Sequence, residues 1–349
     1  MKNFLFSLMI LTAACLMFGC TPYEKMNAAA FEQATLSADA RVVDVRTAEE
    51  FAEGHLPGAL NFDWKSDDFL PMVKAAFDSS KPLYLYCRTG VRSGEAAEAL
   101  AKAGYEVVSL IGGIEGWKAD GKPVTKYEVE RFFTDSGEPV DVTLIKHGTL
   151  AICHDNVWIQ IDPVTKHGKT TDYAAEFPKA DFILITHEHG DHLDAEAIEA
   201  LTGDNTRLIG NAKSCEQLGK GEDIANGESL QLTNVISLDA VPAYNTTPGR
   251  ENFHPKGNGN GYVLTIDGLR IYIAGDTEDI QEMAELKDID VALLPVNQPY
   301  TMTVEQLVNA ARMVKPKVLF PYHYGQTDVS SIAAQLENDG IEVRIRHYE

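Results

Sequence analysis

The sequence predicts two α/β domains in tandem, the first built on a parallel sheet and the second on two sheets packed face to face. The chain has 349 residues, which is long for a single hydrophobic core. Its 44% hydrophobic and 23% charged residues are typical of a folded globular protein. The apolar pattern also changes after residue 126, from short strands between helices to long strand runs.

The first domain is predicted to span residues 31–126. Its short apolar segments are typical of strands, and they alternate with a segment rich in Ala, Glu and Leu that ends at glycine, as a helix does. Strands separated by helices of this length form a parallel sheet. The predicted strands are residues 41–45, 82–86 and 107–111, and the predicted helix is residues 93–104.

The second domain is predicted to span residues 140–349, after a charged linker at residues 127–139 that contains a Ser-Gly-Glu-Pro turn. Long strand runs with fewer helices between them predict two sheets with helices on their outer faces. The predicted strands are residues 140–145, 150–152, 157–161, 181–186 and 261–274, the last broken by a turn at residues 267–268, and the predicted helices are residues 195–201 and 304–314.

The N-terminus is predicted to be a signal peptide, residues 1–20, followed by a short polar linker, residues 21–30. Lys2 precedes an apolar segment that is too short to span a membrane comfortably. The segment ends in Met-Phe-Gly before Cys20, which resembles the bacterial lipobox and implies cleavage before Cys20 and lipidation of its thiol. The resemblance implies an exported, membrane-anchored lipoprotein on the periplasmic or cell-surface face. A plain secretory signal, an uncleaved anchor and cleavage before Cys15 are the alternatives.

The charge of the chain argues against nucleic acid as a partner. The sequence carries 52 acidic and 30 basic residues, a formal net charge of −22, which repels phosphate backbones. A small anionic substrate remains compatible with this charge, because a bound cation can override the overall field. The expected partner is therefore a small molecule.

Three cysteines remain beyond the predicted signal peptide: Cys87, Cys153 and Cys215. An odd number in an exported protein indicates a free and reactive thiol. Cys87 lies within a motif, whereas Cys153 and Cys215 are interpreted as small buried apolar residues.

A cluster of histidines and acidic residues at positions 187–192 is the strongest chemical motif. It directly follows an apolar strand segment, so its side chains leave a strand end and enter a loop. His187 and His189 are two residues apart, which places both imidazoles on one side of an extended backbone. Asp191 and His192 follow as the loop turns and can address a second point nearby. Imidazole and carboxylate groups bind zinc, iron or manganese, so the cluster predicts a metal site rather than a solvated loop.

This His-x-His-x-Asp-His motif resembles the signature of the metallo-β-lactamase superfamily. Residues 146–149 and 161–163 are similar to the opening hairpin of the branch that includes ascorbate-phosphate lactonase-like and N-acyl-phosphatidylethanolamine phospholipase-like proteins. Residues 275–277 resemble the Gly-Asp-Thr element of the superfamily, and residues 321–324 resemble the segment that carries its last ligand histidine. The resemblance covers residues 140–349 and implies an αββα sandwich.

The resemblance also implies a ligand set for two metal ions. The implied ligands are His187, His189 and a third histidine for one ion, Asp191, His192 and His323 for the other, and Asp276 between them. In related sequences the third histidine often follows a Val-Pro-Ala-like strand end, where this chain has Tyr244 and Asn245. His254 is the nearest candidate, since a closed site needs a third nitrogen ligand. Asn245 or water is the alternative.

Two divalent cations about 3.5–4 Å apart lower the pKa of a water molecule between them and polarise the substrate oxygen. The expected cofactors are therefore two divalent ions, with zinc favoured and manganese or iron as alternatives. The resemblance implies that Asp191 orients the attacking water and accepts its proton. The predicted reaction is hydrolysis, for which lactones, phosphodiesters and similar esters all fit.

A second motif, Cys-Arg-Thr-Gly-Val-Arg-Ser at residues 87–93, lies between a predicted strand and the predicted helix of the first domain. A tight loop there directs backbone N–H groups inward at the positive end of a helix, which favours a nucleophilic thiolate at Cys87. Arg92, with Arg88 as a second candidate, is expected to hold an anionic sulfur donor such as thiosulfate.

This loop resembles that of single-domain rhodaneses, with further similarity at residues 43–46, 53–59 and 112–117. The resemblance implies a sulfurtransferase that carries a persulfide on Cys87. The length of the loop favours sulfur transfer over the related phosphatases, which have a longer loop. A non-catalytic module is the alternative. Four residues of these segments are interpreted as structural: Asp44, Arg46, His55 and Trp117.

The favoured hypothesis is an enzyme with two activities, a metal-dependent hydrolase and a sulfurtransferase. One alternative is a persulfide dioxygenase that uses a single iron and is coupled to the rhodanese-like domain. The other is a surface-anchored binding protein without catalysis, against which the complete ligand set argues.

Overall fold

The computed structural model describes residues 23–37, 39–346 and 348. The chain divides into two compact units, Met1–Val124 and Thr125–Glu349. The predicted signal peptide, with its lipidation site at Cys20, lies outside the described residues. No helix within the described ranges has the length and hydropathy needed to cross a bilayer.

The first unit alternates strands and helices along the chain. Its strands are β1 (Glu24–Met26), β2 (Arg41–Asp44), β3 (Leu60–Asn61), β4 (Leu83–Tyr86) and β5 (Val107–Leu110). Its helices are α1 (Ala28–Thr35), α2 (Ala48–Ala52), α3 (Phe69–Ala76), α4 (Val91–Lys102) and α5 (Gly113–Ala119). All neighbouring strands are parallel, in the order β1-β5-β4-β2-β3. The predicted α/β domain with a parallel sheet is confirmed.

Both faces of this sheet are buried, which explains why its strands are apolar without alternation. Along β4, Leu83 and Leu85 pack on one face and Tyr84 and Tyr86 on the other. Cys87, the next residue, belongs to the same cluster as Leu83 and Leu85 and is 1% exposed. The thiol therefore lies at the carboxyl end of a central strand, four positions before the first residue of α4.

The segment predicted as a linker at residues 21–30 contains β1 and the first residues of α1. β1 has three residues, two of them exposed, and it pairs only with β5 at the edge of the sheet. Asn27 accepts a hydrogen bond from the backbone N–H of Ala30 and begins α1. Because the strand is short and polar, periodicity did not reveal it.

The second unit contains two seven-stranded sheets and a small two-stranded one. Its strands are β6 (Glu128–Phe133), β7 (Pro139–Lys146), β8 (Thr149–His154), β9 (Val157–Ile161), β10 (Lys166–His167), β11 (Lys169–Thr170), β12 (Phe182–Ile185), β13 (Arg207–Gly210), β14 (Glu222–Asp223), β15 (Ser229–Gln231), β16 (Ile236–Ala243), β17 (Gly259–Ile266), β18 (Leu269–Ile273), β19 (Val291–Pro295), β20 (Val318–Tyr322) and β21 (Glu342–Val343). The large sheets have the orders β14-β13-β12-β9-β8-β7-β6 and β15-β16-β17-β18-β19-β20-β21, and β10 pairs with β11.

The two large sheets pack against each other through their apolar faces. Val142, Ile152 and Leu184 of the first sheet share one buried cluster with Leu264 and Leu293 of the second. Each such aliphatic side chain contributes about 1.5–3 kcal/mol by burial. The helices are α6 (Tyr173–Glu176), α7 (Ala195–Leu201), α8 (Ala212–Leu218), α9 (Val304–Val314) and α10 (Ile332–Leu336), with a 3₁₀ helix at Gln281–Glu285. The predicted αββα sandwich is confirmed.

The outer face of the first large sheet is covered by α7. Ile183 and Ile185 of β12 point away from the sandwich interior and pack with Ile198 and Leu201 of that helix. β12 is therefore buried on both faces, which accounts for its uniformly apolar sequence.

The linker predicted at residues 127–139 contains β6, which pairs antiparallel with β7. Two of its charged residues are ion-paired: Arg131 bonds Asp141, and Glu130 bonds Arg344. A half-exposed edge strand alternates charged and apolar residues, so its composition is similar to that of a linker.

Candidate metal centre

The seven side chains predicted as metal ligands lie together at one edge of the sandwich. The 187–192 loop follows β12, whereas Asp276 follows β18 and His323 follows β20. His254 lies in the connection between β16 and β17. Four separate segments of chain, from both large sheets, therefore supply the site.

Three histidine nitrogens form the first ligand group. Nε2 of His187 lies 3.0 Å from Nδ1 of His189. His254 joins them, and the ligand atoms of the three rings lie within 4.8 Å of one another. Oδ2 of Asp276 is 3.2 Å from Nε2 of His254 and 3.9 Å from Nε2 of His187. The structure thus brings His254 into the position of a third nitrogen ligand.

The second ligand group lies on the other side of Asp276. Its Oδ1 is 3.3 Å from Nε2 of His192 and 3.3 Å from Nε2 of His323. Oδ2 of Asp191 is 4.0 Å from Nε2 of His192 and 3.8 Å from Nε2 of His323. The two oxygens of Asp276 therefore face two different sets of ligands.

The unpaired polar atoms around Asp276 are of the kinds that bind divalent cations. Within the described part of the chain, five buried atoms of the seven predicted ligands have no hydrogen-bond partner: Nδ1 of His323, and four atoms at Asp276, namely Nε2 of His192, His254 and His323 and its own Oδ1. A buried polar atom without a partner costs about 1–3 kcal/mol. Four such atoms converging on one small volume are accounted for by cations that accept their lone pairs.

Ionisation states in the first group match those of metal ligands. Burial would raise the pKa of Asp276, but His323 and His192 hold it well below its usual range. Burial lowers the pKa of His187 well below that of a free histidine and also lowers the pKa of His189. The carboxylate is ionised and these two rings are neutral, as metal binding requires.

The second group differs in one respect. Burial would lower the pKa of His192, but Asp276 and Asp162 on either side of the ring raise it well above its usual value. Burial would raise the pKa of Asp191, but hydrogen bonds with His147 and His323 hold it well below its usual range. A cation that binds here displaces a proton from His192.

A buried hydrogen-bond chain selects the ring nitrogens that face the site. Nδ1 of His192 donates to Oδ2 of Asp162 at 2.8 Å, and Oγ1 of Thr186 donates to the same oxygen at 2.6 Å. The Thr186 hydroxyl in turn accepts from Nδ1 of His187 at 3.0 Å. Asp162 therefore leaves the Nε2 lone pairs of both histidines available for metal. Sequence reasoning quoted Asp162 in the opening hairpin but assigned it no role.

Asn245 supports His254 in the same way. Its Oδ1 lies 3.3 Å from Nδ1 of His254, and its Nδ2 donates to the carbonyl of Tyr300 at 2.8 Å. Asn245 thus lies behind the His254 ring, on the side away from Asp276, which leaves Nε2 of His254 available to a metal ion.

His147 is a site residue to which sequence reasoning gave no role. Its Nε2 lies 3.3 Å from Oδ2 of Asp191, and its ring centroid is 3.5 Å from that of His323. The backbone of His147 has φ +44°, which costs a residue with a side chain about 1–2 kcal/mol. Its position in the Lys-His-Gly-Thr hairpin was the sequence feature that could have indicated a role in the site.

Gly148 follows His147 in the β7–β8 turn and packs against the metal motif. A Cβ at this position would lie 2.6 Å from Cε1 of His192. That ring is held by Asp162, so no side chain fits here. By contrast, a Cβ at Gly190 would meet no atom within 4 Å.

The Cys87 loop of the first unit forms a closed turn around the thiol. The backbone N–H of Gly90 donates to Sγ of Cys87 at 3.2 Å, with Gly90 at φ +94°. Gly113 closes the loop from outside, because a Cβ there would lie 2.4 Å from the Cys87 carbonyl. The thiol therefore faces a backbone donor at the start of α4, a 12-residue helix.

Both arginines of this loop are paired with carboxylates. Arg92 donates to Glu50 through two nitrogens, at 2.6 and 2.7 Å. Arg88 donates to Glu115 at 2.6 Å. The Arg92 guanidinium lowers the pKa of Glu50 to about 2, so the pair is ionised at neutral pH.

The residues interpreted as structural have structural contacts. Arg46 donates to Asp44 and to the Gly54 carbonyl, all within the buried part of the unit. The His55 ring stacks on Phe51. In addition, Trp117 donates from Nε1 to the carbonyl of Pro123 at 2.7 Å.

The remaining thiols lie away from both sites. Burial raises the pKa of Cys153 to about 12 and also raises the pKa of Cys215. Both are free cysteines. Such thiols are poor nucleophiles, which leaves Cys87 as the cysteine within a loop suited to chemistry.

Each of the two parts of the chain matches a known protein family. Residues 141–323 match the family described as Beta-lactamase superfamily domain, and residues 27–120 match the Rhodanese-like domain. A UPF0173 metal-dependent hydrolase of Archaeoglobus fulgidus is 29% identical over 218 residues, which is 58% of this chain and 94% of that protein. A UPF0173 metal-dependent hydrolase of Pyrococcus furiosus is 33% identical over 193 residues, which is 53% of this chain and 84% of that protein.

Solved structures resemble the second unit. One from Parabacteroides distasonis, described as a metal-dependent hydrolase, is 54% identical with a TM-score of 0.62, and the match covers 64% of this chain and 100% of that one. Igni18, a metallo hydrolase from Ignicoccus hospitalis, is 27% identical with a TM-score of 0.51, over 60% of this chain and 95% of that one.

Proposed function

Because the chain belongs to the β-lactamase superfamily and is a metal-dependent hydrolase with a rhodanese-like domain before it, we propose that it hydrolyses a small ester with two divalent metal ions and transfers sulfur through Cys87. Zinc is the proposed metal, since the ligands are imidazoles and carboxylates. Manganese and iron are the alternatives.

The position of Asp276 carries the two-ion proposal. Its Oδ2 faces His254 at 3.2 Å and its Oδ1 faces His192 at 3.3 Å, so one carboxylate lies between two nitrogen-rich groups. A single-iron site would need only one of these groups. The geometry therefore favours hydrolysis over the mononuclear persulfide dioxygenase.

A pair of bound cations supplies an activated water and polarises the substrate oxygen. Asp191 is the residue proposed to orient that water and accept its proton. Its side chain is 35% exposed, whereas that of Asp276 is 3% exposed, so Asp191 is the carboxylate of the site that substrate and solvent reach. His147 contacts Oδ2 of Asp191 at 3.3 Å and so fixes the orientation of this carboxylate.

The substrate class of the hydrolase is proposed from the resemblance of its opening hairpin. Lactones, phosphodiesters and similar esters each present an oxygen that a cation pair can polarise. Asp162, in that hairpin, orients both His187, through Thr186, and His192. This arrangement supports the proposed lactonase-like and phospholipase-like branch.

Sulfur transfer at Cys87 is supported by the loop that surrounds it. Gly90 donates a backbone hydrogen bond to the thiol, and α4 directs its N-terminus to the same point. Both features direct N–H donors at Sγ of Cys87, the atom that would attack a sulfur donor. Cys87 would carry the transferred sulfur as a persulfide.

We also propose that the mature protein is anchored to a membrane through lipid on Cys20, on the periplasmic or cell-surface face. Labelling with a fatty-acid analogue and fractionation test this. Wild type should be labelled and sediment with membranes, whereas Cys20→Ser should be neither. Labelling that persists in Cys20→Ser would contradict the proposal.

Metal analysis of the purified protein is the first test of the hydrolase. Two ions per chain are expected, and His189→Ala combined with Asp191→Ala should lose both ions and all hydrolysis. A single iron per chain would instead support the dioxygenase.

A panel of lactones, phosphodiesters and thioesters tests the reaction class. Wild type loaded with two ions should hydrolyse one of these classes, and Cys87→Ser should retain that activity. If the loaded protein hydrolyses none of them, the non-catalytic binding protein becomes the better explanation.

A further inference from the structure

Glu188 lies between the first two histidines of the metal motif, and its carboxylate is bonded by two asparagines. Nδ2 of Asn258 donates to both carboxylate oxygens, at 3.0 Å each, and Nδ2 of Asn211 donates to Oε2 at 3.1 Å. The Glu188 side chain is 18% exposed, and Nζ of Lys213 lies 3.4 Å from Oε1. Within the described ranges Glu188 is in neither ligand group, so its carboxylate acts on its neighbours rather than on a metal ion.

Asn211 belongs to the same network and is itself fixed. It is 2% exposed, and its Oδ1 accepts from the backbone N–H of Ser214 at the start of α8. Its Nδ2 donates to Glu188 and also to the carbonyl of Asn258 at 2.9 Å, as the two hydrogens of an amide nitrogen allow. Asn258 is therefore held through both its side chain and its backbone.

The network joins segments from the two large sheets. Glu188 follows β12 and Asn211 follows β13, both in the first large sheet, whereas Asn258 directly precedes β17 of the second. Asn258 is also the last residue of the segment 254–258, which begins with His254. The contact between Glu188 and Asn258 therefore fixes this segment to the loop that carries the other two histidines of the first group.

The middle of the segment is exposed, so its two ends determine where His254 lies. Residues 255–257 are all exposed, and Lys256 among them pairs with Glu282 at the surface, a kind of contact that contributes little. At the first end, the backbone N–H of Asn245 donates to the His254 carbonyl at 2.9 Å. At the second end, the anchor is the network of Glu188.

We propose that Glu188 is a positioning residue of the metal centre: through Asn258, its carboxylate holds His254 against the other two histidines of the first group. The inference rests on the proposed two-ion centre. Side chains that orient ligands without binding metal affect metal affinity about 10–100-fold. Glu188 differs from Asn245 in that it acts on the position of the segment and makes no contact with the His254 ring.

Zinc titration of the full chain against a competing chelator tests the proposal. Glu188→Ala leaves all seven predicted ligands in place, so two ions should bind, one of them about tenfold more weakly than in wild type. Glu188→Gln keeps one acceptor oxygen and should recover part of that affinity. Unfolding of the metal-free proteins is measured alongside. If Glu188→Ala does not fold, Asn258→Ala, which removes the donor instead, is compared with wild type in the same way.

Two double variants locate the effect. Asn258→Ala breaks the same contact from its other side, so combining it with Glu188→Ala should weaken zinc binding no further than either change alone. His254→Ala removes the ligand through which Glu188 acts, so the ion that remains should bind equally well with and without Glu188→Ala. A residue that only stabilises the fold would instead weaken the binding of both ions.

Glu216→Ala is the matched control, because Glu216 is an exposed glutamate of α8 outside the network, and it should bind zinc as wild type does. Wild-type affinity in Glu188→Ala, additive effects of Glu188→Ala and Asn258→Ala, or equal weakening of both ions overturns the proposal. If wild type itself binds no zinc, the proposed zinc centre is wrong and the inference fails with it.

Discussion

Nδ1 of His192 lies 2.8 Å from Oδ2 of Asp162, and both side chains are almost wholly buried. Asp162 is not a ligand, but it determines which nitrogen of His192 faces Asp276. Orienting partners of this kind affect metal affinity about 10–100-fold.

Asp162→Asn should therefore weaken metal binding about 10–100-fold without removing a ligand, because an amide presents only one acceptor oxygen to the three donors that bond this carboxylate. Titration against a competing chelator measures the effect. The exposed Asp204→Asn serves as the control and should bind metal as wild type does. Unchanged affinity in Asp162→Asn would show that the His192 ring is held by other contacts.

Two glycines of the site should respond differently to alanine. Gly148→Ala places a methyl group 2.6 Å from Cε1 of His192, so the ring or the β7–β8 turn must move and metal binding should fall at least about tenfold. Gly190→Ala, within the metal motif itself, meets no atom within 4 Å and should bind metal nearly as wild type does. Metal content and affinity of the two variants, measured side by side, decide the matter.

His254 and Asn245 should have separable roles. His254→Ala removes a nitrogen of the first group, so the protein should retain about one ion per chain. Asn245→Ala removes only the acceptor behind the His254 ring, so two ions should remain with roughly tenfold weaker binding. Elemental analysis with affinity titration distinguishes these outcomes. Full loss of one ion in Asn245→Ala would make Asn245 a ligand.

His147 should act on catalysis rather than on metal content. His147→Ala removes the contact with Asp191, so kcat should fall about 10–100-fold while two ions remain bound and KM changes little. His147→Gln retains a side-chain donor and should recover part of the rate. Loss of metal from His147→Ala would instead make it a ligand of the second group, since its ring lies within 4.8 Å of the other ligand atoms there.

The ion pair between Glu50 and Arg92 predicts a pH dependence of stability. The pKa of Glu50 is lowered to about 2 by hydrogen bonding to Arg92, from a usual value of 4.5. A depressed carboxyl pKa stabilises the folded state above the usual value, and this stabilisation is lost as the pH falls toward 2. The pair is partly exposed, so its contribution is about 1 kcal/mol.

Wild type should thus exceed Glu50→Gln in free energy of unfolding by about 1 kcal/mol at neutral pH, and the difference should vanish as the pH falls to about 2. Denaturant unfolding at several pH values, followed by tryptophan fluorescence, measures the difference. A difference that does not change with pH would mean that the charge of Glu50 contributes nothing.

The sequence predicted most of the central elements because they are long or buried. β9, α7 and α9 have the predicted bounds, since uniform apolar runs and helical spacing are signals carried by local residues. The edge strands β1 and β6 were interpreted as linkers, because their formation depends on pairing with β5 and β7 and on distant ion pairs.

In the candidate site, too, local sequence predicted some residues and missed those whose roles depend on distant contacts. The motif at residues 187–192 is contiguous, so the spacing of its residues alone predicted a metal site. The roles of Asp162 and His147 depend on contacts with residues 30 and 44 positions away, which spacing does not encode. The pairing of Arg92 with Glu50, 42 positions apart, was likewise not foreseen, and it alters the expected chemistry of the loop.

The convergence of ligands from both large sheets has a mechanical consequence. Asp191 and His192 belong to a loop of one sheet, and Asp276 and His323 follow strands of the other. A cation bound by the second group would link the two sheets at this edge of the sandwich, in addition to the apolar interior that joins them. Chelation would release that edge first, so metal supply would control the rigidity of the substrate entrance as well as the chemistry within it.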